Sequence, residues 1–357
     1  MTKEHHEDVE RIEPKHAQQP AMEMGMGMMS GGRRRVSRRY LKLFMMFLVL
    51  PSFLVQILMH PCKDFAIGSQ AGKTIVVTGA NSGLGYYTSL FLAKSGAKVI
   101  MGCRSKVKCE EAKASILKAH PAAVPPDTLT LDLSSQASVK AFASSLLSKH
   151  RSINALVNNA GIGNVKSRAE TVEGIELTFG TNHIGHFLLT QLLFKSIKEG
   201  GVIVNHSSAM HMLVSSGVFL GDYESKNSYN AFFAYAISKA ANLLFTYELN
   251  DRLQASGNTR KITAVAVHPG FTQTAMSAQT AGDIIVKLIG MDVSCGAQAQ
   301  ILAAVGSAAA SNGTFFGPKH LGVFGPPAVA GTGKNDKKAM AELWAVSERL
   351  TKTAFRI

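Results

Sequence analysis

The feature that most limits how this chain can fold is an alternation that begins at Thr74. Short apolar runs, mostly Val, Ile and Leu, take turns with longer amphipathic stretches. The runs cover residues 74–78, 98–102, 128–131, 155–157, 202–205 and 262–267. Runs that are apolar throughout, rather than at every second position, belong to parallel strands covered on both faces. The helix-like stretches between them supply the crossovers that parallel strands need. The pattern predicts an α/β fold with a doubly wound parallel sheet of Rossmann type. No internal repeat and no Pro- or Ser-rich linker divides residues 72–357, which read as one domain.

The first run leads into Thr78-Gly79-Ala80-Asn81-Ser82-Gly83-Leu84-Gly85, and a helix-like stretch follows. Glycine permits a tight turn and lets the backbone approach a pyrophosphate, while a helix N-terminus offers free N–H groups. The spacing G-x-x-x-G-x-G differs from the better-known G-x-G-x-x-G, and a structural turn could use the same glycines. Its place at the first strand–helix junction favours phosphate binding by Gly79, Asn81, Ser82, Gly83, Leu84 and Gly85.

The second run ends in Gly102-Cys103-Arg104-Ser105. An acidic side chain at this place would hold a ribose 2′-hydroxyl, whereas an arginine suits a 2′-phosphate. Arg104 therefore predicts NADP(H) in preference to NAD(H). Asp132 and Leu133, at the end of the third run, are placed toward the adenine. Capping the next helix is the competing role for Asp132, although Ser134 or Ser135 could fill it.

Tyr235-Ala236-Ile237-Ser238-Lys239 sets a tyrosine and a lysine four residues apart, on one face of a helix. A free phenol, with a pKa of about 10, is a poor base at neutral pH. A neighbouring ammonium favours the phenolate, and such a pair can act as general acid or base at a carbonyl or alcohol.

The glycine turn, Asn158-Asn159-Ala160-Gly161, Asn182, Ser207-Ser208, Tyr235-x-x-x-Lys239 and Pro269-Gly270 follow one another at element ends. This set resembles the short-chain dehydrogenase/reductase family, over about residues 72–350. Residues 181–190 (TNHIGHFLLT) and 342–348 (ELWAVSE) look like its retinol-dehydrogenase-like branch.

The resemblance implies a sheet of about seven parallel strands, the last near residues 314–316. It implies that Tyr235 gives or takes the proton and that Lys239 lowers its pKa and binds the nicotinamide ribose. Ser208, the second serine of the pair, would hydrogen-bond the substrate oxygen. Asn182 would hold a water linking Lys239 to solvent. Asn159, Ala160 and Gly161 would line the adenosine side, and Pro269, Gly270 and Thr272 the nicotinamide amide. Such enzymes often dimerise, so a homodimer is admitted. His206 departs from the apolar residue usual before the serine pair and reads as a satisfied strand-end histidine. His183, His186 and His211 form no metal-ligand constellation, and no metal is expected.

Two loops beyond the strand ends, about residues 209–230 and 271–292, would choose the substrate. The second is rich in apolar residues, which fits a lipophilic substrate such as a retinoid, a steroid or a fatty aldehyde. Two other readings remain: a reductase of a conjugated ring double bond, similar to the protochlorophyllide reductases, and a non-catalytic membrane-tethered NADP(H) sensor.

The N-terminal part is built differently. Residues 1–32 are polar, then rich in Met and Gly, and read as a disordered tail. Its six acidic residues argue against an organellar transit peptide. Residues 33–60 combine five arginines with the uncharged run 43–59. A membrane span needs about 20 residues, and ~17–25 will serve, so this segment predicts a membrane anchor, expected in the endoplasmic reticulum. The arginines put the N-terminus in the cytosol. One span would then place the enzyme in the lumen, whereas a hairpin bent at Pro51 would leave it in the cytosol. Asn312-Gly313-Thr314 is a glycosylation sequon. The net charge of +14 includes no basic run interleaved with aromatics, so no nucleic-acid partner is expected. Cys62, Cys103, Cys109 and Cys295 contain no C-x-x-C pair and read as reduced thiols, with Cys62 a candidate for palmitoylation.

Overall fold

The computed structural model describes residues 65–215, 221–274, 284, 287, 290–306, 313–320, 322–330 and 336–357. The strands are β1 (Thr74–Thr78), β2 (Lys98–Cys103), β3 (Asp127–Thr130), β4 (Ile153–Asn158), β5 (Ile197–His206), β6 (Thr263–Val267), β7 (Phe315–His320) and β8 (Phe324–Ala330). They lie in the order β3-β2-β1-β4-β5-β6-β7-β8. Neighbours from β3 to β7 pair in parallel, as the sequence predicts.

The eighth strand corrects the expectation of an all-parallel sheet. β8 turns back against β7 in antiparallel register, with Pro318 opposite Pro327. Its Gly325-Pro326-Pro327 reads as loop because proline cannot donate to a ladder, yet an edge strand needs bonds on one side only. β7 begins at Phe315, within the expected place, and runs on to His320.

Among the described residues, seven helices cover the sheet: α1 (Gly83–Lys94), α2 (Lys106–Ala119), α3 (Gln136–Lys149), α4, α5 (Ala231–Ala255), α6 (Val293–Ala304) and α7 (Lys337–Thr351). α4 is a composite, made of Leu177–Phe179, a π-helical turn Gly180–Ile184 and Gly185–Leu193. Alternate strand residues face opposite sides. Val76, Ile100, Leu156, Ile203 and Ala264 pack under α3, α4, α5 and α7. Ile75, Val77, Val99, Met101, Val157, Val204 and Val265 pack under α1, α2 and α6. Ser105 and Ser135 cap α2 and α3 by accepting from Lys108 N and Ser138 N. Asp132, the other candidate cap, instead accepts from Ser134 N at 2.9 Å and Ser134 Oγ at 2.6 Å.

The cysteines also differ from expectation. Cys103, at the end of β2, forms a disulfide with Cys109 in the first turn of α2, their Cα atoms 5.9 Å apart. Cys295 is disulfide-bonded as well. No C-x-x-C spacing announces the first bridge; the strand–turn–helix brings the two thiols within bridging range. Among the described residues no helix is long and apolar enough to cross a membrane. The run at 43–59 and Cys62 lie outside the described residues.

Candidate active site

The strand order reverses between β1 and β4, and in such sheets the crevice at the carboxyl ends there is where ligands bind. The sequence folds tightly at this point. Thr78 Oγ1 accepts from Asn159 N at 3.0 Å and Ala160 N at 2.9 Å, and Asn159 Nδ2 donates to Thr78 O at 2.8 Å. The Thr78 hydroxyl then donates to His186 Nε2 at 2.9 Å, because His186 Nδ1–H is used on Asn182 O at 2.9 Å. One buried threonine and one neutral histidine thereby join the glycine turn, the Asn-Asn-Ala-Gly segment and α4.

The turn has the shape a dinucleotide phosphate requires. Gly79 and Gly83 adopt φ of 64° and 54°, a region in which a Cβ is strained. A side chain on Gly85 would fall on Gly79 O and press Asn159 Nδ2, so strand and helix meet without room for one. At Gly83 a Cβ would meet nothing within 4 Å, which leaves open space before the helix. Ser82 makes no side-chain cap to α1, so the first N–H groups of this helix remain available to an anion. Asn81 is half-buried and Ser82 exposed beside that space. Arg104 is exposed at the end of β2, and no hydrogen bond or ion pair to the described residues holds it. These residues fit a dinucleotide, whose pyrophosphate the uncapped N–H groups would hold. Leu133 is buried with its main chain against Gly185. At the other end of the crevice Gly270 has φ of 69°, and Thr272 Oγ1 donates to Pro269 O at 2.7 Å.

The chemistry-bearing side chains converge beside β5. The two serines differ. Ser207 is buried and its hydroxyl donates to Lys239 O at 2.8 Å. Ser208 is half-buried; its Oγ accepts from Met210 N at 3.3 Å, and its side chain lies close enough to Tyr235 to influence the phenol. Lys239 is 1% exposed, with Nζ 5.5 Å from the centre of the Tyr235 ring. Its Nζ donates to His206 O at 3.1 Å. Asn182 lies in the π-helical turn, where Oδ1 accepts from Ile162 N at 2.7 Å. Its Nδ2 donates to Ile162 O at 2.8 Å and to Ser238 Oγ at 2.9 Å. A Cβ on Gly161 would stand 3.2 Å from Asn182 Oδ1 and 3.4 Å from Lys239 Nζ, so these groups share one corner.

Burial raises the Tyr235 phenol to about 12, against a lowering effect of the nearby Ser208 side chain. Burial also lowers Lys239 to about 7. Burial outweighs whatever lowering of the phenol the lysine supplies. The ammonium is directed to the His206 carbonyl, and loss of solvent dominates both groups. His206 is indeed a satisfied strand-end histidine, with Nδ1 bonded to Gln300 Oε1 at 3.0 Å. Thr78, His186, Ser238 and Gln300 were not legible as site residues. Thr78 alone carried a signal, since it immediately precedes Gly79.

The family model described as short chain dehydrogenase matches residues 73–284. The chain belongs to that family of oxidoreductases, whose fold takes a nicotinamide dinucleotide. Within it, the chain is 42% identical over 201 residues to mouse retinol dehydrogenase 12, a match covering 56% of this chain and 61% of that one. It thus spans less than two thirds of that relative's length. Human retinol dehydrogenase 14 is 34% identical over 308 residues, covering 79% of this chain and 87% of the relative. A crystal structure of an uncharacterised protein from Mycobacterium paratuberculosis superposes with a TM-score of 0.69 at 36% identity, covering 83% of this chain and 98% of that one. The retinol-dehydrogenase-like branch seen in residues 181–190 and 342–348 is the branch these relatives occupy.

Proposed function

We propose that the chain moves a hydride between NADP(H) and a lipophilic carbonyl or alcohol, of the retinoid, steroid or fatty-aldehyde kind. The observation that carries this reading is the Ser208–Tyr235–Lys239 cluster standing beside an uncapped helix N-terminus. When bound, NADPH supplies the hydride. With its phenol raised to about 12, Tyr235 stays protonated at neutral pH and serves as the acid for carbonyl reduction. Ser208 offers a second donor where negative charge develops on the substrate oxygen. The Lys239 ammonium stabilises the phenolate that proton transfer leaves. Asn182 braces the loop at Ile162 and the Ser238 hydroxyl, and so fixes the helix that carries Tyr235 and Lys239.

Arg104 supports the choice of NADP(H). The substrate class is supported by exposed apolar side chains next to the cluster. Met212 and Leu213 follow Ser208 and are 73% and 51% exposed, and Phe232 and Phe233, just before Tyr235, are 43% and 47% exposed. The curated relatives are named retinol dehydrogenases. Residues 43–59 are read as an anchor to the endoplasmic reticulum membrane, which would hold the site close to lipophilic substrate. Glycosidase treatment of the protein from cells tests the lumenal topology through Asn312.

The test of the reading is turnover of the full chain in mild detergent, with NADPH or NADH, against a panel of lipophilic aldehydes and ketones. Turnover that prefers NADPH is expected. NADPH binding without turnover of any panel member would favour a sensor.

A further inference from the structure

Among the described residues, the one acceptor that Lys239 Nζ reaches is the main-chain oxygen of His206. The same oxygen accepts from Asn242 Nδ2 at 3.0 Å. The placement of the ammonium thus depends on where the end of β5 is held. The side chain of this residue is itself tied down. His206 Nδ1 donates to Gln300 Oε1 at 3.0 Å, and Gln300 Nε2 donates to Leu84 O at 3.2 Å and to Thr88 Oγ1. Leu84 and Thr88 belong to α1, the helix whose N-terminus faces the open space at Gly83. All the side chains in this chain of bonds are buried: His206 at 6% exposure, Gln300 at 1%, Thr88 at 0% and Lys239 at 1%.

α6, which carries Gln300, touches both ends of the crevice. A Cβ on its Gly296 would collide with Thr272 and stand 3.1 Å from Leu84 Cδ2. One helix therefore contacts the phosphate turn and the nicotinamide side, and reaches the lysine through His206.

We propose that His206 and Gln300 are positioning residues that couple occupancy of the dinucleotide turn to the placement of the Lys239 ammonium. The inference rests on the oxidoreductase reading above. An anion seated on the N-terminus of α1 fixes the first turn of that helix. Gln300 passes the constraint to the imidazole, and the His206 carbonyl passes it to Nζ. Burial and the nearby Lys239 charge hold the imidazole down to about 3, so it stays neutral and adds no second cation beside the lysine. Because both partners are buried, removing one leaves the other unpaired, whereas removing both together leaves neither end of the His206–Gln300 bond unsatisfied.

The test is a double-mutant cycle on the full chain in mild detergent, reading the NADPH dissociation constant by calorimetry, the carbonyl KM, kcat and the melting temperature. His206→Val and Gln300→Leu should each weaken NADPH binding by about fivefold or more and lower kcat, with the carbonyl KM unchanged. The double variant should be no worse than the weaker single. His206→Asn, which keeps an N–H toward Gln300, should stay within about twofold of wild type. If His206→Val does not fold, Gln300→Leu and the double variant carry the test. Variants that melt earlier but keep wild-type NADPH binding and kcat would overturn the coupling and leave these residues a purely structural role. A wild-type chain that binds no NADPH would instead sink the oxidoreductase reading, and the coupling with it.

Discussion

Acidifying the protein from pH 7.5 to 5 should bring it to the edge of unfolding. His183 and His206 are buried and held down to about 3, and His186 and His268 are buried and held down to about 4. Loss of solvent is the first cause in each, and neighbouring charge adds to it. An unfolded histidine has a pKa of about 6.5. Each folded value lies below the unfolded one, so the stabilisation is whole above about pH 6.5 and is lost as the pH falls toward 3–4. At pH 5 the unfolded chain binds nearly one proton at each of these four sites and the folded chain almost none. Linkage then removes about 2 kcal/mol per histidine, about 8 kcal/mol together. A domain holds about 5–15 kcal/mol in all. Urea denaturation in mild detergent at pH 7.5, 6 and 5 reads the loss directly. Calorimetry in buffers of differing ionisation enthalpy should count about four protons taken up on unfolding near pH 5, and His183→Gln should reduce the count by about one. Stability at pH 5 within about 1 kcal/mol of that at pH 7.5, or uptake of fewer than about one proton, would refute the reasoning.

Other outcomes follow from the same geometry. Gly85→Ala should cost at least about tenfold in NADPH affinity, measured by calorimetry, because its methyl falls on Gly79 O. Arg104→Leu should raise the dissociation constant for NADPH about tenfold or more and leave that for NADH nearly unchanged. With Lys239 near 7, the ammonium that stabilises the phenolate is present below that pH and lost above it. kcat/KM for carbonyl reduction should therefore fall as the pH rises from 6 to 9, and a flat profile would remove the lysine from that role. Ser135→Ala should lower stability by about 1 kcal/mol in urea, by opening the first turn of α3.

Strands covered on both faces announce themselves as uninterrupted runs, so β1 to β6 were legible from their apolar residues, whereas β7, which contains no Val, Ile or Leu, was expected only from the family resemblance. The motifs at their ends were legible for the same reason, because each falls where a run stops. β8 was hidden by Gly325-Pro326-Pro327, which spells a loop unless the partner strand is known. The Cys103–Cys109 bridge was hidden because its spacing suits no sequence motif and depends on how β2 meets α2. Tyr235 and Lys239 could be put on one helix face by counting. Their protonation could not, since it depends on how deeply packing buries each group. His206 could be called satisfied, but its partner Gln300 lies 94 residues away, a distance that only the fold spans.

The account stands on Tyr235 as the acid of a hydride transfer. Its most direct test is NADPH oxidation in the presence of a lipophilic aldehyde by the full chain and by Tyr235→Phe, with NADPH binding measured for both. The prediction is wild-type turnover that falls by at least about a hundredfold in the variant, with NADPH affinity retained. Equal turnover in the two proteins would contradict the account at its centre.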